Sequence, residues 1–335
     1  MEMVSNPHAS NLVAWAKDRP EVVVLSGDLT GSTEIAPFKK AYPDRFFSMG
    51  LSEQNMVGFA GGLAREGYTP FLHTFAVFLY RRALDQIEMS VAYPKLRVRF
   101  FGFLPGITTP GGVTHQAIDD VGVLRPLPNM TILSTGDATD VESMLDAAQA
   151  VDGPVYVRML RGELPRLFDR ADPLVVGRAR VISAGTDVTL LSEGICTEEA
   201  MRAARALQAR GVGVQHLHVS TLKPFDDPAV IEAMAGARHG VITMENHSII
   251  GGLGSAAAEL LAGHGIGKRL VRIGIPDTYA HGASRPYLMK EYGLDAAALV
   301  AQVEALIGEK LGIDEQALAA VRLDAVNTQD KLEAL

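Results

Sequence analysis

Short apolar runs alternate with segments of helical spacing along most of the chain. The run at residues 22–25 is β-branched and lies between Pro20 and Gly27, which is typical of a buried strand that ends in a loop. Residues 52–65 instead repeat their apolar positions at helical spacing, with Ser52 predicted as the N-cap. Further strand-like runs lie at 46–49, 69–73, 96–101, 130–133 and 155–159, and further helical patterns at 79–92 and 138–151. This alternation predicts a mainly parallel sheet covered by helices on both faces.

The pattern stops after Arg161 and then starts again. Residues 162–185 are weakly periodic and contain two prolines and several glycines, which is typical of an interdomain linker. Beyond it, strands are predicted at 188–191, 212–217, 240–245 and 269–273, and helices at 197–210, 227–235, 254–262, 296–307 and over the last twenty residues. We therefore predict two three-layer α/β/α domains with mainly parallel sheets, at residues 1–175 and 176–335.

Composition narrows the classes of protein that are compatible with this pattern. The 335 residues are 47% hydrophobic and 21% charged, which is typical of a globular protein with a substantial core. No apolar run approaches the roughly 20 residues that a membrane-spanning helix needs, and the first residues show no export signal. The single cysteine, Cys196, excludes an internal disulfide framework and is typical of the cytoplasm. A net charge of −8 argues against nucleic-acid binding, so we expect small molecules or another protein as partners.

Glu53 is the first candidate for chemistry. It follows the predicted strand at 46–49 directly and lies in the first turn of the predicted helix at 52–65. Ligands of open α/β sheets bind beyond the carboxyl ends of the strands, where this side chain would lie. An acid that simply complements the helix dipole is nevertheless the more common explanation for such a position.

A set of motifs around Glu53 shows a resemblance to a known family. The motifs are GDLTGS at 27–32, GLSEQN at 50–55, TFAVF at 74–78, DQI at 85–87, GIT at 106–108, THQ at 114–116, LPNM at 127–130, ENH at 245–247 and GGLG at 251–254. In this order they resemble the pyrimidine-binding and C-terminal domains of transketolase, and especially the C-terminal subunit of split bacterial transketolases. These enzymes use thiamine diphosphate and transfer a two-carbon ketol unit from a ketose, usually phosphorylated, to an aldose.

The resemblance implies roles for the residues that match the family's motifs. Glu53 corresponds to the glutamate that hydrogen-bonds N1′ of the cofactor's aminopyrimidine and so activates it. Phe75 and Phe78 correspond to aromatic residues that pack on the pyrimidine ring, although two ordinary core phenylalanines would give the same pattern. Leu51 and Asp28 correspond to residues near the cofactor, and a loop cap is an equal alternative for Asp28.

The same resemblance implies two substrate-binding residues. His115 corresponds to a histidine that faces the reacting carbons and can move protons or hold a hydroxyl. Arg161 corresponds to an arginine that binds the donor's distal phosphate through paired hydrogen bonds. A salt bridge at the domain boundary remains an equal alternative for Arg161.

Two departures from the family concern the substrate side of the site, and a third lies beside the cofactor. The loop at 108–113 is about one residue shorter than its family counterpart and lacks its acid. The histidine that many transketolases carry upstream is replaced near Phe103 and Leu104, and the segment with Arg81 and Arg82 contains one extra residue. We therefore expect the donor to be an unusual ketose or an α-keto acid.

The remaining implication of the resemblance concerns the groups that hold the cofactor's diphosphate. The family ties the cofactor's diphosphate to Mg²⁺ through a separate domain, and we expect those ligands on a partner, the N-terminal transketolase subunit, with no metal ligand in this chain. The predicted assembly is an α₂β₂ heterotetramer with the site at the interface. Two alternatives stay open, namely a 2-oxo-acid dehydrogenase β-type subunit or deoxyxylulose-phosphate-synthase-like enzyme, and a non-catalytic scaffold.

Overall fold

The computed structural model describes residues 1–326 and contains two α/β units. The central strands of the first unit are buried on both faces, as a sheet covered by helices requires, and all five residues of its second strand are buried. Its strands are β1 (Met3–Ser5), β2 (Val22–Ser26), β3 (Phe46–Ser48), β4 (Thr69–Phe75), β5 (Arg99–Phe103), β6 (Thr131–Ser134) and β7 (Val155–Met159). Its helices are α1 (Pro7–Trp15), α2 (Ala36–Ala41), α3 (Glu53–Arg65), α4 (Ala76–Gln86), α5 (Asp120–Leu124) and α6 (Ala138–Ala150).

The second unit repeats this architecture. The short strand β8 (Glu163–Pro165) pairs with β1 and belongs to the first unit. The strands of the second unit are β9 (Arg180–Ser183), β10 (Val188–Ser192), β11 (Val214–His218), β12 (Thr221–Lys223), β13 (Gly240–Ser248) and β14 (Leu270–Ile275). Its helices are α7 (Cys196–Gln208), α8 (Pro228–Gly236), α9 (Leu253–Gly263), α10 (Arg285–Glu291), α11 (Ala296–Ile307) and α12 (Glu315–Ala320). Of the helix predicted over the last twenty residues, α12 lies within the described part of the chain, and residues 327–335 lie outside it.

The strand order explains where ligands can bind. The first sheet has the order β12-β6-β7-β5-β4-β2-β3 and the second the order β14-β13-β10-β11-β9. All strands of the first sheet except β12 run parallel, so the carboxyl ends of β7, β5, β4, β2 and β3 meet along one edge. The predicted fold class, two α/β domains with mainly parallel sheets, is confirmed.

The predicted linker is ordered and carries two strands. β8 pairs antiparallel with β1, and β9 pairs antiparallel with β11 at the edge of the second sheet. Arg180, at the start of β9, donates to the buried Asp140 carboxylate of α6 at 2.5 Å. The short length of these strands and their flanking prolines hid them in the sequence pattern.

The two units are also joined at a continuous boundary. β12, which belongs to the second unit in sequence, pairs antiparallel with β6 of the first sheet. Gly251, at a φ of +85°, packs so closely on Gly122 that a Cβ there would lie 2.7 Å from the Gly122 Cα. Gly251 of the glycine cluster at 251–254 therefore allows close packing between the two units.

The helix predicted at 79–92 is interrupted in its middle. Ala83 leaves the helical region at φ −125°, and residues Ile87–Ala92 form a π-helix. A π-turn accommodates one more residue than an α-turn, which is the usual structural response to an insertion in a helix. The interruption follows the segment in which the sequence predicts one extra residue.

No helix within residues 1–326 combines enough length with enough apolar character to cross a bilayer.

Candidate active site

The predicted site residues lie along the carboxyl edge of the first sheet. Phe75 is the last residue of β4, and Glu53 follows β3 at the start of α3. Arg161 follows β7, and Phe103, the last residue of β5, pairs with both Phe75 and Met159. Because neighbouring strands are about 4.8 Å apart, these residues are spread along one groove rather than around one point. An elongated ligand suits such an arrangement.

Glu53 is buried at the centre of this edge. Its residue is only 2% exposed although it is the first residue of a helix. Ser52 precedes it in the N-cap position, but its hydroxyl donates to the Met49 carbonyl oxygen at 2.5 Å and makes no cap bond. A carboxylate that merely complemented the helix dipole would have no reason to leave solvent, because burial of a charge costs free energy.

Arg82 provides the charge that compensates Glu53. One of its guanidinium nitrogens donates to both Glu53 carboxylate oxygens, at 2.9 and 3.0 Å. The guanidinium also lies over the Phe78 ring, 4.0 Å from its centroid. Arg81 points elsewhere and pairs with Asp119 at 3.0 Å. Of the two arginines, Arg82 is therefore the one that faces the site.

The surroundings of Glu53 contain a polar atom that lacks a partner within residues 1–326. The Thr74 hydroxyl is fully buried and makes no hydrogen bond. A Cβ on residue 27 would lie 3.1 Å from that hydroxyl and 3.8 Å from a Glu53 oxygen, so only glycine leaves this space open. A cradle with a free hydroxyl and a carboxylate fits a flat heterocycle with ring nitrogens.

Three rings form a wall beside this cradle. The Phe75 and Phe78 centroids are 5.7 Å apart. His115 meets Phe78 edge to face at 5.4 Å and Phe75 at 6.1 Å. The His115 Nδ1 is 2.9 Å from the Thr114 hydroxyl, and the ring is half-buried. The structure thus brings together Glu53, Phe75, Phe78 and His115.

The other predicted residues lie at the rim. Asp28 is exposed and adopts a left-handed conformation at φ +64°, and Leu51 is 70% exposed. Arg161 is exposed and lines a cleft of about 280 Å³ beyond the carboxyl ends of β5 and β7. Burial raises the pKa of Glu34, and the nearby Arg161 charge opposes that rise. Among the described residues, Arg161 makes no salt bridge across the domain boundary.

The loop that follows β5 is held by the second unit. The Asn246 side chain accepts from the Ile107 amide at 2.9 Å and donates to the Pro105 carbonyl at 3.0 Å. Leu104, just before them, adopts φ +58°, which is uncommon for a bulky residue and needs support from its surroundings. The ENH motif therefore fixes the start of the loop that carries His115.

Replacing Asn246 by alanine tests the clamp that its side chain forms on Pro105 and Ile107. The buried Ile107 amide would lose its partner, whereas the Pro105 carbonyl would still accept from the Thr108 hydroxyl at 2.8 Å. We therefore expect the free energy of unfolding to fall by about 1–3 kcal/mol. The Ile107 amide should exchange with solvent at least tenfold faster, measured by hydrogen–deuterium exchange. In the control Asn11→Ala, which removes a bond to Glu142 inside the first unit, Ile107 exchange should stay unchanged. An unchanged Ile107 amide in Asn246→Ala would contradict the clamp.

Sequence reasoning missed a buried charge network next to this loop. Arg158 is 1% exposed and bonds Asp120 at 3.0 Å and Glu193 at 2.9 Å. Its remaining nitrogen donates to the Asn246 carbonyl at 2.8 Å. Burial raises the pKa of Glu193, but the Arg158 guanidinium outweighs this and holds that pKa below its usual value. A lone arginine inside an apolar strand was the only available signal.

No part of residues 1–326 contains three or more His, Cys, Asp or Glu side chains grouped so that they could hold a metal ion. The single cysteine is buried, and burial raises the pKa of the Cys196 thiol. The groups that the described residues bring to the site are the carboxylate, the imidazole, the hydroxyl and the guanidinium groups described above.

Comparison with known proteins identifies the family. The model of the transketolase pyrimidine binding domain matches residues 4–166, and that of the transketolase C-terminal domain matches residues 177–299. An uncharacterized transketolase family protein of Sinorhizobium fredii is 38% identical over 90% of this chain and 88% of its own length. The chain belongs to the transketolase family. The family predicted from the motifs is confirmed.

Two further members of the transketolase family are split subunits. The 6-deoxy-6-sulfo-D-fructose transketolase subunit SqwH of a Clostridium species is 39% identical over 86% of this chain and 89% of its own length. A solved split gene transketolase, an inactive β4 tetramer, superposes with a TM-score of 0.83 at 38% identity and covers 91% of this chain and 98% of its own. The prediction of a transketolase subunit, a transferase-type enzyme that works with a partner, is confirmed.

Proposed function

We propose that this chain is the pyrimidine-binding half of a split, thiamine-diphosphate-dependent transketolase and that Glu53 activates the cofactor. One observation carries the proposal: a buried carboxylate, an unpartnered hydroxyl and an aromatic wall surround a single cradle at the carboxyl edge of the sheet. When bound, thiamine diphosphate supplies the electron sink for a carbanion, which protein side chains lack.

The residues of this chain would hold the aminopyrimidine and manage its protons. Glu53 faces the cradle and would hydrogen-bond a ring nitrogen, while Thr74 offers its free hydroxyl beside it. Phe75 and Phe78 would cover the ring face and exclude water. His115, which packs edge to face on Phe78, would exchange protons with or hold a hydroxyl of the ketose substrate.

Arg82 must share Glu53 with the cofactor. It bonds both carboxylate oxygens, whereas a ring nitrogen would need one of them. Its side chain is 45% exposed, so it can turn toward solvent at little cost. We infer that Arg82 keeps the buried Glu53 carboxylate paired until the aminopyrimidine binds.

A double-mutant cycle of Arg82→Met and Glu53→Gln measures this pairing. Because Arg82 is half exposed, we expect a coupling free energy of about 1 kcal/mol, measured by urea unfolding of the chain alone. Arg82→Met should therefore destabilise the chain less when residue 53 is glutamine. Coupling of zero would show that the ion pair does not support the buried carboxylate.

The same proposal covers the metal, the partner subunit and the substrates. The diphosphate and Mg²⁺ would be held by an N-terminal transketolase subunit, in an α₂β₂ heterotetramer with the site at the interface. The solved relative in which β chains alone form an inactive tetramer supports the need for a partner. The substrates would be a ketose donor, with a terminal anion that Arg161 binds, and an aldose acceptor.

Reconstitution tests the proposed function. The purified chain, its partner subunit, thiamine diphosphate and Mg²⁺ would be mixed and screened against a panel of ketose and keto-acid donors. Ketol transfer from a ketose that requires all four components supports the proposal. Release of CO₂ from a keto acid would favour the dehydrogenase or synthase alternative, and no turnover without partner-dependent cofactor binding would favour a scaffold.

A further inference from the structure

Arg285 of the second unit lines the same cleft as Arg161. The cleft of about 280 Å³ is bounded by residues that follow β5 and β7, and Arg285 is its one lining residue from the second unit. The lining residues are Leu104, Thr108, Met159, Leu160, Arg161, Gly162, Leu164 and Arg285. None of them is acidic, so two guanidinium groups share a cleft whose other walls are largely apolar.

The Arg285 guanidinium is not committed elsewhere. Within residues 1–326 it makes no hydrogen bond or ion pair. It also borders a larger cavity of about 440 Å³ that contains carboxylates, but these already have partners. Glu198 pairs with Arg202, Glu199 accepts from the Ala296 amide, and Asp295 caps α11. Arg161 and Arg285 are both exposed and form no ion pair with a described residue, so both guanidinium groups remain available to an anion.

The segment that carries Arg285 is joined to the loop that carries His115. Gln116 donates to the His281 carbonyl at 3.2 Å. Gly282 packs so closely that a Cβ there would lie 2.8 Å from the Pro110 carbonyl oxygen. The position of Arg285 is therefore coupled to the loop at 108–113, the part of the site that departs most from the family.

The cleft also lies along the same edge of the sheet as Glu53. Leu104 follows β5 directly, and β5 lies between β4, which ends in Phe75, and β7, which leads to Arg161. A substrate whose reacting end lies beside His115 would place its far end one strand further along, at this cleft. A guanidinium pair recognises tetrahedral oxyanions through charge-assisted, paired hydrogen bonds.

We propose that Arg285, together with Arg161, binds the terminal oxyanion of the donor sugar, a phosphate ester or a sulfonate. This assignment rests on the proposed function and gives the C-terminal domain a direct part in substrate selection. Arg285 supplies the second cation from across the domain boundary, and the loop at 108–113 sets its distance from the reacting end.

Anion binding by the full chain tests Arg285 without any need for catalysis. Inorganic phosphate and methanesulfonate would be titrated separately into wild-type chain, Arg285→Gln, Arg285→Lys and the control Arg269→Gln. Arg269 is an exposed arginine at the amino end of β14, outside the cleft. We expect Arg285→Gln to weaken the binding of at least one of these anions about tenfold or more, since one charge-assisted partner is lost. Arg285→Lys should lie between Arg285→Gln and wild type, and Arg269→Gln should match wild type.

A second arm uses the reconstituted complex. Arg285→Gln should raise KM about tenfold or more for a ketose donor that ends in phosphate or sulfonate. It should leave KM unchanged for a ketose donor that has no charged end. Comparing the two anionic donors identifies which oxyanion the site prefers. Wild-type anion affinity in Arg285→Gln, or an equal rise in KM for charged and uncharged donors, would overturn the proposal. If even the wild-type complex transfers no ketol unit, the proposed function fails, while the anion titration still decides the role of Arg285.

Discussion

Glu53→Gln should lower ketol transfer by the reconstituted complex by about 100-fold to 10⁴-fold, the range for loss of a positioned acid–base group. Glutamine has nearly the same shape and can still accept one hydrogen bond from Arg82, so the fold should survive. We expect the free energy of unfolding to change by no more than about 1 kcal/mol, because Arg82 is 45% exposed. The measurement is the steady-state rate at saturating donor, with urea unfolding of the same preparation.

Glu66→Gln is the matched control for this substitution. Glu66 is an exposed carboxylate at the opposite end of α3. Its replacement should leave both rate and stability near wild type. Near-normal turnover in Glu53→Gln would refute the role of Glu53, whereas a large loss in both variants would indicate a general disturbance of α3.

Arg158→Met should have the largest effect on stability. The substitution leaves Asp120 and Glu193 buried without their shared cation, and removal of one partner from a buried ion network costs about 3–5 kcal/mol. This is a large part of the roughly 5–15 kcal/mol that stabilises a typical domain. We expect a strongly lowered melting temperature in thermal unfolding followed by circular dichroism.

Two further variants separate this network from a general effect of losing an arginine. Arg97→Met removes an exposed arginine next to β5 and should change stability by no more than about 0.5 kcal/mol. Adding Glu193→Gln to Arg158→Met should recover part of the loss, because one uncompensated charge disappears. Equal stability of Arg158→Met and Arg97→Met would show that the buried ions do not hold the two units together.

The strands and helices that position the site could be predicted because their patterns are local. β2 and β7 are short runs in which apolar residues predominate, and α3 repeats its apolar residues at helical spacing directly after β3. Short strands could not be predicted, because they depend on pairing with segments that are distant in sequence. β9 lies in a glycine- and proline-rich segment, and β12 has three residues and pairs with a strand about 90 positions earlier.

The candidate site likewise contains residues that the sequence predicted and residues that it did not. Glu53, Phe75, Phe78 and His115 stand in ordered motifs, so their resemblance to a family could be recognised residue by residue. Arg82, Asn246 and Arg285 act through contacts between segments that are distant in sequence, and no local pattern encodes such contacts. The Glu53–Arg82 pair spans 29 residues and the Asn246–Ile107 bond spans 139.

The titration of thiamine diphosphate, in the presence of Mg²⁺, into this chain, its partner subunit and their mixture tests the central claim most directly. If the chain supplies only the pyrimidine half of the site, tight binding should appear in the mixture alone, and one cofactor should bind per pair of chains. Tight binding by this chain without its partner would contradict that division of the site. A mixture that binds no cofactor would contradict the account as a whole.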